Sequence, residues 1–142
     1  MATHLATTTA FWVRVGRLDL GTFTTCEGLS CDVDYEEFWE GGLNTRPWRL
    51  PTRIRYSNVV LTRPLESNSA AYLLWLQSAA LKLVPLNGEI AALGPTRTPI
   101  VRWELQGVVP VRWQGPSFTA ASTGVAMETI ELGHHGLIAL PG

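Results

Sequence analysis

The chain has 142 residues, 46% of them hydrophobic and 16% charged, with a formal net charge of −1. The length fits one domain with one core, and the near-neutral balance excludes a chain-wide electrostatic pull on nucleic acid or anionic lipid. Charge falls well below the roughly 25% of an ordinary soluble domain, so the chain either buries an unusual share of its surface or meets partners over much of it.

Met1 to Ala10 holds no Lys or Arg and no apolar core of signal-peptide length, and reads as a Thr-rich flexible arm rather than an export signal. Phe11, Val13 and Val15 alternate with Trp12, Arg14 and Gly16, the period-2 signature of a half-buried strand. A turn at Gly16 to Gly21 leads to a short strand at Thr22 to Cys26, and Gly28 opens the next strand, Leu29 to Tyr35. Glu36 to Thr52 fits neither period and holds Gly41-Gly42, Pro47 and Pro51. It is expected to be a long loop, the kind of segment that carries function in a compact domain. Trp39 and Trp48 are poor residues to leave in water, so its order is expected to come with assembly.

Ile54 to Arg63 reads as a β-run ended by Pro64. Ser67-Asn68-Ser69 offers N-cap chemistry for one helix, about Ser69 to Val84, stopped by Pro85. Its polar side is thin, with Gln77, Ser78 and Lys82 against Leu73, Leu74, Trp75, Leu76, Leu81 and Leu83. A helix apolar around so much of its circumference is buried on more than one side, which in so short a chain points to contact beyond its own sheet. Strands return at Val101, Trp103 and Leu105, then at Val109, Val111 and Trp113, and a last one runs from about Thr123 to Leu132. Many strands and one helix imply a mainly β fold, a small β-sandwich or barrel with one flanking α-helix. No apolar run approaches the roughly 20 residues of a membrane span, and synthesis in the cytoplasm is expected.

The residues offer little chemistry. Cys26 and Cys31 stand too far apart for a C-x-x-C motif, and no second pair completes a zinc site. His4 lies in the arm, while His134 and His135 precede Gly136 as polar residues of a terminal turn. No G-x-S-x-G elbow is present, and Gly41-Gly42 is followed by Leu43 rather than the Lys of a phosphate-binding loop. The paired carboxylates Glu36-Glu37 and Glu128 with Glu131 read as solvated surface groups. No catalytic residue, cofactor or metal is expected, and no specific recognition of nucleic acid.

The charges, however, are sorted. Glu27 to Glu40 contains six acids (Glu27, Asp32, Asp34, Glu36, Glu37, Glu40) and no base; Arg46 to Arg63 contains five Arg (Arg46, Arg49, Arg53, Arg55, Arg63) and no acid. Two such blocks can pair head to tail between copies, building rings or filaments, or pair as two strands within one subunit. Ten Arg against the single Lys82 suit interfacial pairing and equally follow from genomic base composition. Candidate subunit-interface residues are Glu36, Glu37, Trp39, Glu40, Arg46, Trp48, Arg49 and Arg53.

A set of short motifs runs in order along the chain: F-x-V at Phe11 to Val13, Phe23, the Gly28-Leu29 pair and E-F-W-E-G-G at Glu37 to Gly42. Leu50-Pro51, V-V-L-T-R-P at Val59 to Pro64 and Trp75 follow. Val101-x-Trp103-x-Leu105, Pro110-x-x-Trp113 and E-T-I-E-L-x-H at Glu128 to His134 complete the set. On these motifs the chain, over about Phe11 to Gly136, resembles the inner-tube proteins of contractile phage tails and extracellular contractile injection systems. The resemblance implies a tail-tube fold shared with the type VI secretion tube protein, hexameric rings whose sheets join around a lumen, and stacking of those rings. It implies sheath and baseplate proteins of the same particle as partners, and a loop after the acidic strand that reaches a neighbouring subunit or ring. The Arg-dense stretch Trp48 to Pro64 and G-P-S-F at Gly115 to Phe118 are closer to a baseplate tube-initiator ring than to the repeated main-tube subunit. From another class, the residues are also compatible with a monomeric β-barrel binding a small apolar ligand in its mouth.

Overall fold

Alternating apolar and polar side chains put every second residue on one face of a strand, and the N-terminal alternation does this. In a computed structural model of the protein, which describes residues 7–38, 48–66, 69–116 and 124–140, β1 (Ala10–Val15) buries Val13 and Val15 and leaves Arg14 exposed. The turn that follows is shorter than expected, Gly16 and Arg17 alone, with Gly16 at φ +58°. β2 (Leu18–Phe23) therefore starts early and buries Leu20 and Phe23. The register between β1 and β2 shifts at Val13/Arg14, a bulge that lets both apolar residues of β2 turn inward. β3 (Thr25–Glu27) is a separate short strand.

β4 (Cys31–Phe38) and β5 (Trp48–Tyr56) form a two-stranded sheet of their own. The expected run from Ile54 to Arg63 is thus two strands, broken at Ser57-Asn58, and β6 (Val59–Pro64) rejoins the main sheet. β6 turns Val59, Leu61 and Arg63 inward. The helix α1 (Ala70–Leu81) ends where Lys82 becomes extended, at φ −150° and ψ 108°, three residues before Pro85. Ser69 does not cap it with its side chain; its hydroxyl instead accepts the Glu66 N–H at 3.1 Å. Ser67 and Asn68 lie outside the described residues.

β7 (Leu86–Leu93) has no counterpart among the expected strands. It lies between β1 and β8 (Pro99–Gln114), and Ile90, Ala91, Ala92 and Leu93 are all buried. A central strand covered on both sides carries no alternation to read. β8 is one strand where the alternation suggested two; Gly107, at φ +63°, marks the joint. Before it Leu105 points into the core and after it Val108 does, a change of phase that breaks the period-2 pattern. β9 (Met127–Gly133) and β10 (Gly136–Leu140) complete the chain, the former close to the expected last strand.

The eight strands of the main sheet run β2-β1-β7-β8-β9-β6-β3, with β10 beside β8. The strip stays open but curls on itself: Leu20 and Phe23 from one end share a core cluster with Leu61 from the other. Tyr72 of α1 enters that cluster, donates its hydroxyl to the Glu131 carbonyl at 2.5 Å and meets Trp75 edge-on at 5.7 Å. The fold is mainly β with a single flanking helix among the described residues, as the composition of elements implied. No described helix is long and apolar enough to cross a membrane.

Two charges expected at the surface are inside. Arg63, counted in the basic block, and Glu128, read as a solvated carboxylate, are both buried and face each other across the β6–β9 pair. Each sits at an inward position of a strand whose other inward residues are apolar, so the period decides their placement; they pair through Arg63 Nε and Glu128 Oε1, while Arg63 Nη2 and Glu128 Oε2 stay buried without a partner among the described residues.

Candidate subunit interface

The acidic and basic blocks meet within one chain. β4 and β5 pair antiparallel, with Asp32 opposite Arg55, Asp34 opposite Arg53, and Glu37 opposite Arg49. Arg53 Nε lies 3.1 Å from Asp34 Oδ2, Arg55 Nε 3.0 Å from Asp34 Oδ1, and Arg49 Nε 3.7 Å from Glu37 Oε1. Of the two pairings open to the sorted charges, the intramolecular one is formed for Asp34, Glu37, Arg49, Arg53 and Arg55. Opposite charges at facing positions stabilise a two-stranded sheet and set its register. The strands also occupy both ends of the expected Glu36 to Thr52 loop. Pro51 and a bulge between Asp34 and Tyr35 hide the period there, and an edge strand tolerates both.

The register sorts the side chains. One face carries Val33 with Ile54, Tyr35 with Pro51, and Glu37 with Arg49; the other carries Asp32 with Arg55, Asp34 with Arg53, and Glu36 with Leu50. The first face is apolar up to the Glu37–Arg49 pair, and it is open to solvent: Val33 is 39% exposed, Ile54 54% and Tyr35 57%. Phe38 and Leu50 are exposed as well. Of the other expected interface residues, Trp39, Glu40 and Arg46 lie outside the described residues, as does the side chain of Trp48.

At its base the hairpin is tied to the body. Tyr56 packs its ring against His134 with centroids 5.4 Å apart, and the Ser30 hydroxyl donates to the Ser57 hydroxyl at 3.0 Å. Away from that base the two strands pack chiefly on each other.

A second exposed apolar surface belongs to α1. Leu74, Gln77, Ser78 and Leu81 are spaced as one face of a helix and all are exposed, Leu74 at 64% and Leu81 at 92%. Leu83 and Val84, beyond the helix end, are exposed as well, and the helix stripe itself carries no charge. The expected interface residues include none of Val33, Tyr35, Ile54, Leu74 and Leu81. Their signal in the sequence is the thin polar side of the helix and the Val33-x-Tyr35 spacing among acids.

The described titratable groups form no reactive centre. Burial, with the Glu27 carboxylate nearby, pushes the Cys26 thiol up to about 11, so it stays protonated and unreactive near neutrality. His134 Nδ1 lies 3.0 Å from the Gly136 carbonyl, and the His135 N–H donates to the Gln106 carbonyl. No group of three His, Cys, Asp or Glu among the described residues is placed to hold a metal.

Because the hairpin's ion pairs are exposed, they guide register more than they stabilise. Arg53→Ala is expected to cost less than about 1 kcal/mol, and less still in high salt. Urea titrations at low and high ionic strength check this; a loss of several kcal/mol would mean that the hairpin is packed against something within the isolated chain.

The family model described as T4-like virus tail tube protein gp19 matches residues 7–138. Among curated proteins none matches the chain. Several solved structures share its fold. A chain of the sheath-tube complex of an extracellular contractile injection system, PVC, in its extended state is 20% identical with a TM-score of 0.83, over 98% of this chain and 93% of that one. A chain of the 6-fold symmetrised anti-feeding prophage (AFP) baseplate is 24% identical with a TM-score of 0.77, over 99% and 98%. Hcp1 from Salmonella typhimurium is 9% identical with a TM-score of 0.58, over 94% and 93%. At these identities the structures speak for the fold alone, whereas the family model spans nearly the whole sequence. The chain belongs to the T4-like virus tail tube protein gp19 family.

Proposed function

We propose that this structural, non-enzymatic tube protein closes into hexameric rings that stack around a lumen and form the inner tube of a contractile injection system or phage-tail-like particle. The observation that carries this reading is the β4–β5 hairpin, which stands off the body with apolar side chains in water. A lone two-stranded hairpin is marginal in water, so a surface on another molecule is needed to hold it. The hairpin would supply the subunit interface, together with the expected Trp39, Glu40, Arg46 and Trp48 of the same stretch of sequence. Sheath and baseplate proteins are the other partners, in keeping with the complexes in which the similar PVC and AFP chains were solved. Assembly in the cytoplasm, followed by release or docking of the particle, belongs to the same reading.

A second position, a baseplate ring that initiates the tube, is equally in keeping with the similarity to the AFP baseplate chain, which this chain matches over nearly its full length. Light scattering and negative-stain images at rising concentration test the first reading: rings or stacked tubes are expected. A clean monomer at every concentration, also with sheath and baseplate partners present, overturns it. Labelled copies along the whole particle mark a main-tube subunit, and label at one end marks the initiator.

A further inference from the structure

We infer that the outward stripe of α1 is the seat for the β4–β5 hairpin of a second copy, with Leu74 and Leu81 covered by Val33, Tyr35 and Ile54. This deepens the assembly reading above and rests on it.

Both surfaces lack something that only a partner supplies. A solvent-facing helix stripe ordinarily carries charge, yet Leu74, Gln77, Ser78 and Leu81 carry none, and α1 has no acidic residue in its first turn and no basic residue in its last. The inward side of α1 is already used by Tyr72, Trp75 and Leu76 against the core, so the outward Leu pair is surplus to the fold. The hairpin face is the matching case, because the described residues leave Val33, Tyr35 and Ile54 exposed. Among the described residues of one chain, α1 packs chiefly on β8 and β2, and the hairpin strands pack chiefly on each other.

The match is one of polarity and charge. The helix stripe is neutral before Lys82, and the hairpin face is neutral until Glu37 and Arg49, which compensate each other at 3.7 Å. Neutral apolar surfaces join without desolvating an unpaired ion. The opposite hairpin face, lined by Asp32, Asp34, Arg53 and Arg55, would bring charges onto leucines. Since each chain offers one hairpin and one helix stripe, the contact is heterologous, and repeating it closes a ring or extends a stack.

Cross-linking tests this. In a background of Cys26→Ser with Cys31→Ser, chains carrying Ile54→Cys are mixed with chains carrying Leu81→Cys and oxidised under assembly conditions. A disulfide-linked heterodimer is expected from the mixture and not from either variant alone. Mixing Ile54→Cys with Ile138→Cys, on the outer strand β10, is expected to give none. Leu81→Arg, at a side chain 92% exposed among the described residues, is expected to keep the melting temperature and raise the concentration needed for assembly about tenfold or more. If the unmodified protein assembles but the Ile54–Leu81 cross-link is missing, or Leu81→Arg assembles at the same concentration, another occupant covers the helix and the inference is wrong. An unmodified protein that never leaves the monomer overturns the assembly reading itself, and this inference with it.

Discussion

Arg63→Ala is expected to lower the stability of the folded chain by about 3–5 kcal/mol, and its melting temperature by ~10–20 °C. Arg63 lies on β6 directly opposite Glu128 on β9, and its Nε donates to Glu128 Oε1 at 2.7 Å. Its Nη1 donates to the Leu20 carbonyl and, at 2.6 Å, to Glu66 Oε1, and the guanidinium lies 4.3 Å from the Phe23 ring centroid. Truncating Arg63 leaves the Glu128 carboxylate in the core without a cation, and an unpaired buried charge costs more than the pair contributes. Glu128→Gln is expected to cost less, because Arg63 keeps Glu66 and the Leu20 carbonyl. The double change Arg63→Met with Glu128→Leu removes both charges and is expected to recover much of the loss. Urea denaturation of the three variants checks the order. If Arg63→Ala stays within about 1 kcal/mol of the native protein, the pair is hydrated in solution and the argument fails.

The consequence reaches the assembly surfaces. Glu66 lies in the segment between β6 and α1, so the same guanidinium joins β2, β6, β9 and that connection. Holding the helix against the body in one orientation is what a fixed docking stripe requires.

Gly28→Ala is expected to cost about 3 kcal/mol or more. Gly28 lies between β3 and β4, where the chain leaves the main sheet for the hairpin, at φ +91°. A Cβ there would lie 2.0 Å from the Asn58 carbonyl oxygen and 3.0 Å from its carbon. Both are backbone atoms at the other foot of the hairpin, so relief means moving a strand. Strain at positive φ adds to the clash, since L side chains are disfavoured there. Gly107→Ala is the comparison: at φ +63° its Cβ would meet the His135 ring at 2.1 Å, but that exposed ring can swing away. Its cost is expected to stay near the 1–2 kcal/mol of the backbone strain alone. Thermal melts rank the two, and Gly107→Ala proving the more damaging would refute this account of the hairpin's foot. Gly28→Ala is also expected to weaken assembly more than its stability loss explains, because it re-aims both hairpin faces.

Much of the scaffold was legible in the sequence because each feature had one local cause. Phe11, Val13 and Val15 alternate on a strand with a wet side, and that wet side makes the period visible. The helix announced itself through its run of leucines and the proline beyond it. Its missing polar side read as burial on more than one side; within the chain only the side carrying Tyr72 is buried, and Leu74 and Leu81 face outward. The sorting of acids and bases was equally plain, and the resemblance to tail tube proteins led to the family.

Tertiary structure decided the rest, where two distant segments had to be seen together. Whether Asp34 and Glu37 pair with arginines of their own chain or of a neighbour depends on the chain turning back between Phe38 and Trp48, which no period reports. β7 is hidden because cover from both sides removes alternation, and β8 because Gly107 shifts its phase in mid-strand. Arg63 and Glu128 resemble surface charges in sequence and become a core pair only when β6 and β9 bring two inward positions opposite each other. A residue's type and spacing determine which face of its element it takes; what covers that face is set by long-range packing, and so only the folded chain shows that Leu81 and Ile54 are exposed among the described residues.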